Sequence, residues 1–486
     1  MTVVLMMLSV QCLFGALDNL WHHEITEDLT HRPSARGELM LHTAREFLYG
    51  VIFTSIAWVR WEGAWTIVFA AILVTEIAIT LTDFVIEDQT RRLPAFERVL
   101  HTLLAINFGA VLAVWVPELR HWAAAPTALA PAYYGVWSWL MTCFGAGVTG
   151  WGVHDLFAVG RLGVPEWQRH PIRQGHNPSP KTIIITGATG FIGQALTRAL
   201  IGRGETVIAL TRDAQNAGYL FGSLVEIVES LDRIEAGRRI DAIVNLAGEP
   251  LAGGLWTKAR KERFLHSRLS VTDAVLALIR RLETKPEALI NGSAVGFYGD
   301  RGDETLTEAS EPRPVFMSQL CQEWEARAQQ AADFGVRVCR LRIGFVLGAD
   351  GGAAKPLALA TRFGGGAVMG SGSQIISWIH IRDLVRLICF CIDRPDVDGA
   401  VNAVGPAPVT QTEFARCLGR AVHMPVFLKV PAGVLRTGLG EMSDLFLISQ
   451  RVLPARATAA GFEFEFRALD RAFADLFSDR ADAPRA

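Results

Sequence analysis

The chain has 486 residues, of which 50% are hydrophobic and 20% are charged, and its formal net charge at pH 7 is −2. This length is too great for one ordinary domain and predicts two or three domains. The near-zero charge argues against binding to nucleic acid, and seven cysteines without a CxxC pair argue against both a disulfide framework and a thiolate metal cage.

The first third of the chain is strongly apolar. Apolar runs at about 2–20, 46–59, 64–82, 103–117 and 133–153 are each long enough, or nearly so, to cross a hydrocarbon core of about 30 Å as a helix. The first run begins without Lys or Arg and ends without a small-residue cleavage site, which disfavours a removable signal peptide. The pattern predicts an all-α transmembrane domain of about five helices over residues 1–160.

Arginines predict the orientation of this domain. The loops after the second and fourth runs carry only Arg60 and Arg120. The loops after the first, third and fifth runs carry most of the arginines, namely Arg32, Arg36, Arg91, Arg92, Arg98, Arg161, Arg169 and Arg173. The positive-inside rule then places the N-terminus outside and the rest of the chain after the fifth run in the cytoplasm. We therefore expect an integral protein of the inner (cytoplasmic) membrane of a bacterium, with Trp58, Trp61, Trp65, Trp115 and Trp122 as its interfacial anchors.

The same third contains an internal repeat. Residues 25–43, ITEDLTHRPSARGELMLHT, match residues 85–102, VIEDQTRRLPAFERVLHT, with one residue deleted. Within these segments Glu38 and His42 recur as Glu97 and His101, and beyond them Gly50 recurs as Gly109. The repeat predicts two helical hairpins duplicated in parallel orientation.

Each copy of the repeat carries a Glu and a His four residues apart, which places them on one face of a helix. Convergence of the two faces would form a carboxylate and imidazole metal site. The candidate ligands are Glu38, His42, Glu97 and His101, with His23, Asp83, His154 and Asp155 as further members. In the alternative, Arg32 and Arg92 form ion pairs with these groups and no metal binds.

Hydropathy falls from about Gly160, and the segment PEWQRHPIRQGHNPSP is rich in proline and charge without periodicity. This composition predicts a linker over residues 161–180, although a segment docked on a neighbouring domain has a similar composition.

The next segment, KTIIITGATGFIGQALTRALIGRGETVIALTRD, predicts a dinucleotide-binding βαβ unit. Residues 181–186 form a β-branched run typical of a buried parallel strand, and residues 191–201 have helical periodicity. Gly187, Gly190 and Gly193 lie at the turn between them, where they let the backbone approach a pyrophosphate that the helix N-terminus stabilises.

The residues after the second strand of this unit predict the coenzyme. An NAD enzyme usually has an acid there, whereas this chain has Thr211 and Arg212. A guanidinium binds a 2′-phosphate, so the sequence favours NADP over NAD, while Asp213 could pair with Arg212 or replace it. Farther on, DAIVNLAGEP predicts a strand that ends in small residues, which either leave room for the coenzyme or only form a turn.

Several motifs together resemble a known family. TGATGFIG, VNLAGEP, WTKARKERFLHSR, SAVGFYGD, QEWE, RIGFVLG, FGGGAVMGSGSQ and SWIHIRDLV occur in this order. They resemble the atypical extended short-chain dehydrogenase/reductases of the nucleoside-diphosphate-sugar epimerase-like family, and residues 402–464 resemble that family's small C-terminal domain. The resemblance covers about residues 181–478 and does not extend to the apolar third.

The resemblance implies an α/β Rossmann domain over residues 181–405 and a small α+β domain over residues 406–486. It also implies NADP contacts at Gly187, Thr189, Gly190, Phe191, Ile192, Gly193, Thr211, Arg212, Leu246, Ala247, Arg268 and Val346. It implies little about the substrate, because fold similarity alone does not establish function.

Active extended reductases use a tyrosine and a lysine four residues apart, but the corresponding stretch here, FMSQLCQEWE, offers Met317 and Cys321. Methionine has no transferable proton, and we expect Cys321 to pack in the core. Ser293 and Tyr298 are the candidate catalytic residues, since their hydroxyls could polarise a substrate oxygen. The alternatives are a strand-end hydroxyl for Ser293 and an aromatic lining the coenzyme for Tyr298.

Taken together, the motifs predict a membrane-tethered, NADP-dependent oxidoreductase or epimerase-like enzyme. Its substrate would be a small or lipid-linked molecule near the membrane, and a homo-oligomer is compatible with the sequence. One alternative is a catalytically silent NADP-binding sensor coupled to the membrane domain. The other is a metal-dependent membrane redox unit that receives reducing equivalents from the soluble domain.

Overall fold

The computed structural model describes residues 1–19, 29–31, 35–90, 95–169, 171–252, 254–349 and 351–477. The chain divides into two compact units, Met1–Pro171 and Ile172–Ala486. Three residues named above for the repeat, His23, Arg32 and Arg92, lie outside the described residues.

The first unit is helical, because its apolar runs satisfy their backbone hydrogen bonds within each helix. In chain order its elements are α1 (Thr2–Asp18), α2 (Arg36–Ile56), β1 (Val59–Glu62), α3 (Ala64–Thr90), α4 (Ala95–Ala124), β2 (Ala128–Pro131), α5 (Val136–Leu162) and α6 (Glu166–Arg169). The two short strands pair antiparallel, with Val59 opposite Pro131 and Glu62 opposite Ala128.

The core of this unit is aromatic. Trp115 and Trp122 are 0% and 1% exposed, and their rings lie 5.2 Å and 6.2 Å from that of Phe69. The prediction that these two tryptophans anchor the protein at a membrane interface is therefore wrong, because both rings are enclosed by other helices. Hydropathy identifies an aromatic side chain but does not give the direction in which it points.

Glycines allow α2 and α5 to pack closely. A Cβ on Gly50 would lie 2.2 Å from Thr149 Oγ1, and one on Gly145 would lie 2.5 Å from Thr54 Cγ2. Gly109, which corresponds to Gly50 in the repeat, has nothing within 4 Å of its Cβ position. The two copies of the repeat therefore have different neighbours.

Five long helices correspond to the five predicted apolar runs. Two segments, Ala64–Glu87 and Glu97–Ala124, are long and apolar enough to cross a membrane by length and composition, and Thr2–Asp18 is a shorter apolar helix. Several large apolar side chains on α3 and α4 are exposed, including Ile67, Val74 and Ile106. Passage of all five helices through a membrane stays a prediction.

The second unit contains the remaining elements. Its helices are α7 (Phe191–Gly202), α8 (Ala214–Phe221), α9 (Lys258–Arg281), α10 (Phe316–Gln329), α11 (Ala354–Ala360), α12 (Ile381–Asp393), α13 (Gln411–Ala421), α14 (Ala432–Leu439), α15 (Asp444–Leu447), α16 (Ala455–Ala459) and α17 (Leu469–Phe477). Its strands are β3 (Thr182–Thr186), β4 (Thr206–Leu210), β5 (Glu226–Val228), β6 (Ala242–Asn245), β7 (Ala288–Ala294), β8 (Thr305–Leu306), β9 (Arg337–Ile343), β10 (Phe345–Leu347), β11 (Ala367–Met369), β12 (Ile375–Ile376), β13 (Trp378–His380), β14 (Gly399–Ala403), β15 (Val409–Thr410), β16 (Leu428–Val430) and β17 (Arg451–Val452).

Seven strands form one parallel sheet in the order β14-β9-β7-β6-β3-β4-β5. Strand residues alternate between its two faces, so Ile183 and Ile185 pack with α7 and α12, whereas Ile184 packs with α9. Burial on both faces explains the continuous apolar runs of these strands. This is the predicted Rossmann-type architecture.

Short strand pairs connect the end of the chain to this sheet domain. Strand β11 pairs with β16, β12 with β15, and β8 with β17. Residues 406–477 therefore belong to the second compact unit. Part of the predicted linker also docks there, since Gly175 N donates to Ile201 O at 3.1 Å.

Candidate functional site

The turn between β3 and α7 requires glycine at two positions. Gly187 has φ +72°, and a Cβ there would lie 3.0 Å from the carbonyl carbon of Leu246. A Cβ on Gly193 would lie 2.0 Å from Gly187 O, which already accepts a hydrogen bond from Gly190 N at 3.0 Å. The turn is therefore tight and lies directly against the residues that follow β6.

The N-terminus of α7 supplies anion-binding groups beside this turn. The amides of Phe191, Ile192 and Gly193 have no partner within the helix because α7 begins there, and the N-cap Gly190 has no side chain that could accept from them. Together with the helix dipole they form a site suited to a pyrophosphate. Thr189 contributes its carbonyl, which accepts from Gln194 Nε2 at 2.8 Å and holds the turn in place.

A buried network of neutral side chains fixes the carboxyl ends of the central strands. Thr186 Oγ1 donates to Asn245 Oδ1 at 2.6 Å and accepts from Ala247 N at 3.1 Å. Asn245 Nδ2 donates in turn to Asn291 Oδ1 at 2.7 Å and to Thr272 Oγ1 at 2.9 Å. Sequence reasoning missed this network, although a small polar residue at or near the end of each apolar strand was a usable signal.

Arg212 and Asp213, which follow β4, have different roles in the structure, whereas the sequence left open which of them binds the coenzyme. Asp213 is the N-cap of α8, where its Oδ1 accepts from Asn216 N at 2.9 Å. Arg212 is exposed and makes no ion pair with any residue that the structure describes. Thr211 is buried, and its hydroxyl accepts from Asp213 N. The guanidinium of Arg212 is therefore available for a phosphate, since Asp213 is occupied by the helix.

Arg268 supports the loop that follows β6. Its Nη1 donates to Glu249 O at 3.2 Å and to Phe264 O at 3.0 Å, and its guanidinium lies 5.2 Å from the Trp324 ring. A Cβ on Gly248 would lie 2.9 Å from Arg268 Cζ, so the loop passes close to the guanidinium. In this structure Arg268 holds the backbone beside the candidate coenzyme site.

The loop after β10 returns to the start of α7. Val346 lies on β10 opposite Ile379, and the ring of Phe191 lies within 2.8 Å of the Cβ positions of Gly348, Gly351 and Gly352. Residues from three distant segments thus meet at one place, because the glycine turn contacts both the end of β6 and the loop after β10. Arg212 is at the end of the adjacent strand β4.

Ser293 and Tyr298 belong to a second buried network. Ser293 Oγ donates to Glu325 Oε1 at 2.7 Å, and Glu325 receives two hydrogen bonds from Arg342 at 2.9 and 3.0 Å. Arg342 Nη1 donates to Tyr298 OH at 3.0 Å, and that hydroxyl donates to Asn402 Oδ1 at 2.7 Å. Both candidate catalytic hydroxyls are therefore engaged by protein groups.

The hydrogen bond of Ser293 favours its structural alternative, a satisfied hydroxyl at the end of a strand, whereas the burial of Tyr298 favours neither catalysis nor a role in lining the coenzyme. Tyr298 is 0% exposed, and burial raises the pKa of its phenol, which opposes use as a base. Cys321 is also buried, and the same desolvation raises the pKa of its thiol to about 11. Met317 packs against the backbone at Gly296, so neither residue in the expected tyrosine and lysine positions offers acid–base chemistry. The catalytic assignment of Ser293 and Tyr298 stays a prediction.

The candidate metal ligands of the first unit fall into two groups. One group contains Glu38, His42 and Glu87, and the other contains Asp18, Glu97 and His101, with the donor atoms of each group within 4.8 Å of one another. Asp83 lies 2.9 Å from His42 Nε2, whereas His154 pairs with its neighbour Asp155 at 2.9 Å. Each Glu and His pair of the repeat therefore lies together, as expected from its spacing, but the two pairs belong to separate groups and do not converge into one site of four ligands.

Similarity to known proteins is concentrated in the second unit. Residues 183–404 match the NAD dependent epimerase/dehydratase family, and residues 430–476 match a domain of unknown function, DUF1731. Epimerase family protein YfhF of Bacillus subtilis is 35% identical over 300 residues, which cover 61% of this chain and 98% of that protein. The chloroplastic SDR39U1 homolog of Arabidopsis thaliana is 36% identical over 295 residues, or 60% of this chain and 84% of that protein.

Two crystal structures share the fold. Human epimerase family protein SDR39U1 (isoform 2) with NADPH has a TM-score of 0.56 and 31% identity, covering 61% of this chain and 98% of that one. The nucleoside-diphosphate sugar epimerase of Corynebacterium glutamicum has a TM-score of 0.50 and 29% identity, covering 68% of this chain and 64% of that one.

Proposed function

The chain belongs to the epimerase family, and from that premise we propose that it is an NADP-dependent oxidoreductase or epimerase-like enzyme of the atypical short-chain dehydrogenase/reductase type. The observation that carries the coenzyme assignment is the exposed Arg212 at the end of β4, next to an Asp213 that is already used as a helix cap. The human relative whose structure contains NADPH supports the same choice.

Each part of the proposed site has a separate role in binding. The amides of residues 191–193 would bind the pyrophosphate, Arg212 would bind the 2′-phosphate, and Leu246 and Ala247 would border the coenzyme. Bound NADPH supplies a hydride donor. The chain itself would orient the coenzyme through the turn at Gly187 and exclude water with the loop after β10, which covers Phe191.

We assign the first unit the role of a membrane tether. Two helical segments with suitable length and composition, together with exposed apolar side chains such as Ile67 and Ile106, support this role. A tethered enzyme would act on a small or lipid-linked substrate near the inner face of a bacterial membrane. Membrane fractions washed with alkaline carbonate should retain the full-length protein, and its release by that wash would contradict the tether.

A coenzyme titration tests the main proposal. Full-length protein in detergent is titrated with NADPH and NADH, and Arg212→Ala should raise the Kd for NADPH by about 10- to 100-fold, since a charge-assisted hydrogen bond contributes about 1.5–3 kcal/mol. The Kd for NADH should not change. Arg394→Ala is the matched control, because Arg394 precedes β14 and pairs with Asp396 at the opposite edge of the sheet. Equal affinity of wild type and Arg212→Ala for NADPH would refute the assignment.

The burial of both candidate hydroxyls favours a second function, a catalytically silent sensor that binds NADP(H). NADPH oxidation measured in the presence of a membrane extract separates the two functions. Oxidation that depends on the protein indicates an enzyme, whereas tight NADPH binding without oxidation indicates the sensor.

A further inference from the structure

The two copies of the helical repeat use the same pair of residues in different surroundings. Leu41, His42 and Thr43 on α2 recur as Leu100, His101 and Thr102 on α4, with the acid one turn earlier in both copies. Three residues after the histidine, Arg45 of the first copy corresponds to Leu104 of the second copy. The first copy therefore has its own cation beside the histidine, and the second copy has an apolar side chain at that place.

In the first copy both ring nitrogens of the histidine have protein partners. Arg45 Nη2 lies 3.2 Å from His42 Nδ1, and Asp83 Oδ2 lies 2.9 Å from His42 Nε2. Arg45 also pairs with Asp83 at 3.3 Å, which completes a compact ion-pair network. The guanidinium of Arg45 beside this imidazole and its carboxylate opposes the binding of a second cation.

In the second copy both ring nitrogens of the histidine face carboxylates. His101 Nε2 lies 3.0 Å from Asp18 Oδ2, and His101 Nδ1 lies 3.4 Å from Glu87 Oε2. Glu97 lies one turn before His101, and its carboxylate is within 4.8 Å of the donor atoms of Asp18 and His101. Two donors each about 2.1 Å from one ion lie about 3.0 Å apart in octahedral geometry, close to the separation of Asp18 and His101.

We propose that Asp18, Glu97 and His101 form a binding site for one divalent first-row transition-metal ion. Two carboxylate oxygens and one imidazole nitrogen form a set of hard and borderline donors, which suits Fe(II), Mn(II) or Zn(II) rather than a soft ion. Glu87 then accepts from the other ring nitrogen and orients the imidazole, as carboxylates behind metal-bound histidines commonly do.

A cavity of about 360 Å³ lies against this group, and both Asp18 and His101 line it. The same cavity is lined by Glu46 and Glu76, which are 4% and 2% exposed. Their Oε1 atoms accept hydrogen bonds from Asn19 and Tyr49, respectively, whereas their Oε2 atoms accept none from the described residues. The ion thus has an open side, where water or another small ligand can complete its coordination and donate to these acceptors.

Metal analysis of the full-length protein, purified in detergent without chelators, tests this site. We expect about one equivalent of a first-row metal per chain in wild type and in His42→Ala, and a loss of at least tenfold in His101→Ala. Leu104→Arg should also expel the metal, because it places a guanidinium where the first copy has one. Equal loss in His42→Ala and His101→Ala would overturn the assignment to the second copy.

A second measurement does not depend on the folding of any variant. Wild-type protein stripped with a chelator is titrated with Co(II), and saturation at one equivalent, with visible absorption bands of protein-bound cobalt, is the expected result. Absence of both native metal and Co(II) binding would show that the cluster is neutralised by ion pairs alone and would overturn the proposal.

Discussion

The two units of this chain neutralise buried charge in different ways. Among the described residues, the second unit buries four carboxylates, those of Glu205, Asp241, Glu325 and Asp383, and each has a backbone amide or an arginine of the same unit within hydrogen-bonding distance. The smaller first unit buries eight, those of Asp18, Glu38, Glu46, Glu76, Asp83, Glu87, Glu97 and Asp155. The acids of the first unit lie beside the buried histidines His42 and His101, and one such group is the metal site that we propose.

The largest expected change in stability tests how the second unit neutralises a buried charge. Glu325→Ala leaves the buried guanidinium of Arg342 without its carboxylate and should lower the free energy of unfolding by about 3–5 kcal/mol. Urea denaturation followed by circular dichroism measures this loss. Asp396→Ala, which breaks an exposed pair with Arg394, should leave the midpoint unchanged, and equal midpoints for the two variants would contradict the argument.

The next change in stability compares the two copies of the repeat within the first unit. Gly50→Val forces a side chain into the contact with Thr149 and should destabilise this unit by about 1–3 kcal/mol. Gly109→Val is the control at the matching position of the repeat, where the added side chain meets open space. Thermal unfolding followed by tryptophan fluorescence reports mainly on this unit, because ten of the thirteen tryptophans precede Lys181. Indistinguishable midpoints would show that the two copies have equivalent surroundings.

A smaller effect concerns pH. Burial lowers the pKa of His380 from 6.5 to about 4, and His380 Nδ1 caps α12 by accepting from Arg382 N. The unfolded chain binds a proton between pH 6.5 and 4 and the folded one does not, so this stability is complete above pH 6.5 and is lost as the pH falls toward 4.

Between pH 7 and pH 5 the wild type should therefore lose about 1–2 kcal/mol more than His380→Asn, which keeps a capping oxygen. Denaturant midpoints at the two pH values measure the difference. His266→Asn, at an exposed position, should behave as the wild type does. A wild type and His380→Asn with the same pH dependence would show that His380 is not held neutral.

The smallest effect separates structure from catalysis. Tyr298→Phe removes a hydroxyl bonded to Arg342 and Asn402 and should cost about 1 kcal/mol of stability, with no change in the Kd for NADPH. Tyr133→Phe, at an exposed position, is the control. Loss of NADPH oxidation at unchanged stability would instead restore Tyr298 as a catalytic residue.

Local patterns predicted much of this molecule. The βαβ unit was predictable because strand composition, glycine spacing and helix periodicity act over a few residues, and Gly187 and Gly193 are where that pattern requires them. The pairing of Glu38 with His42 on one helix face followed from the same short-range geometry.

Long-range partners were not predictable. Ser293 bonds a residue 32 positions away, and Tyr298 bonds one 104 positions away, so one sequence gave no indication that both hydroxyls are engaged. The direction of Trp115 depends on how α3 and α4 pack, which periodicity alone does not determine. The role of Asp213 could have been inferred, because an acid before a helix is a common N-cap.

Arg212 and Asp213 have separate roles, and this separation determines which substitutions the protein tolerates. Since the cap belongs to Asp213 and the exposed guanidinium to Arg212, a substitution at position 212 would, on the proposed assignment, change the affinity for the 2′-phosphate and leave the cap of α8 intact. On that proposal, the coenzyme preference of this protein and the stability of α8 can change independently, because each depends on a different residue.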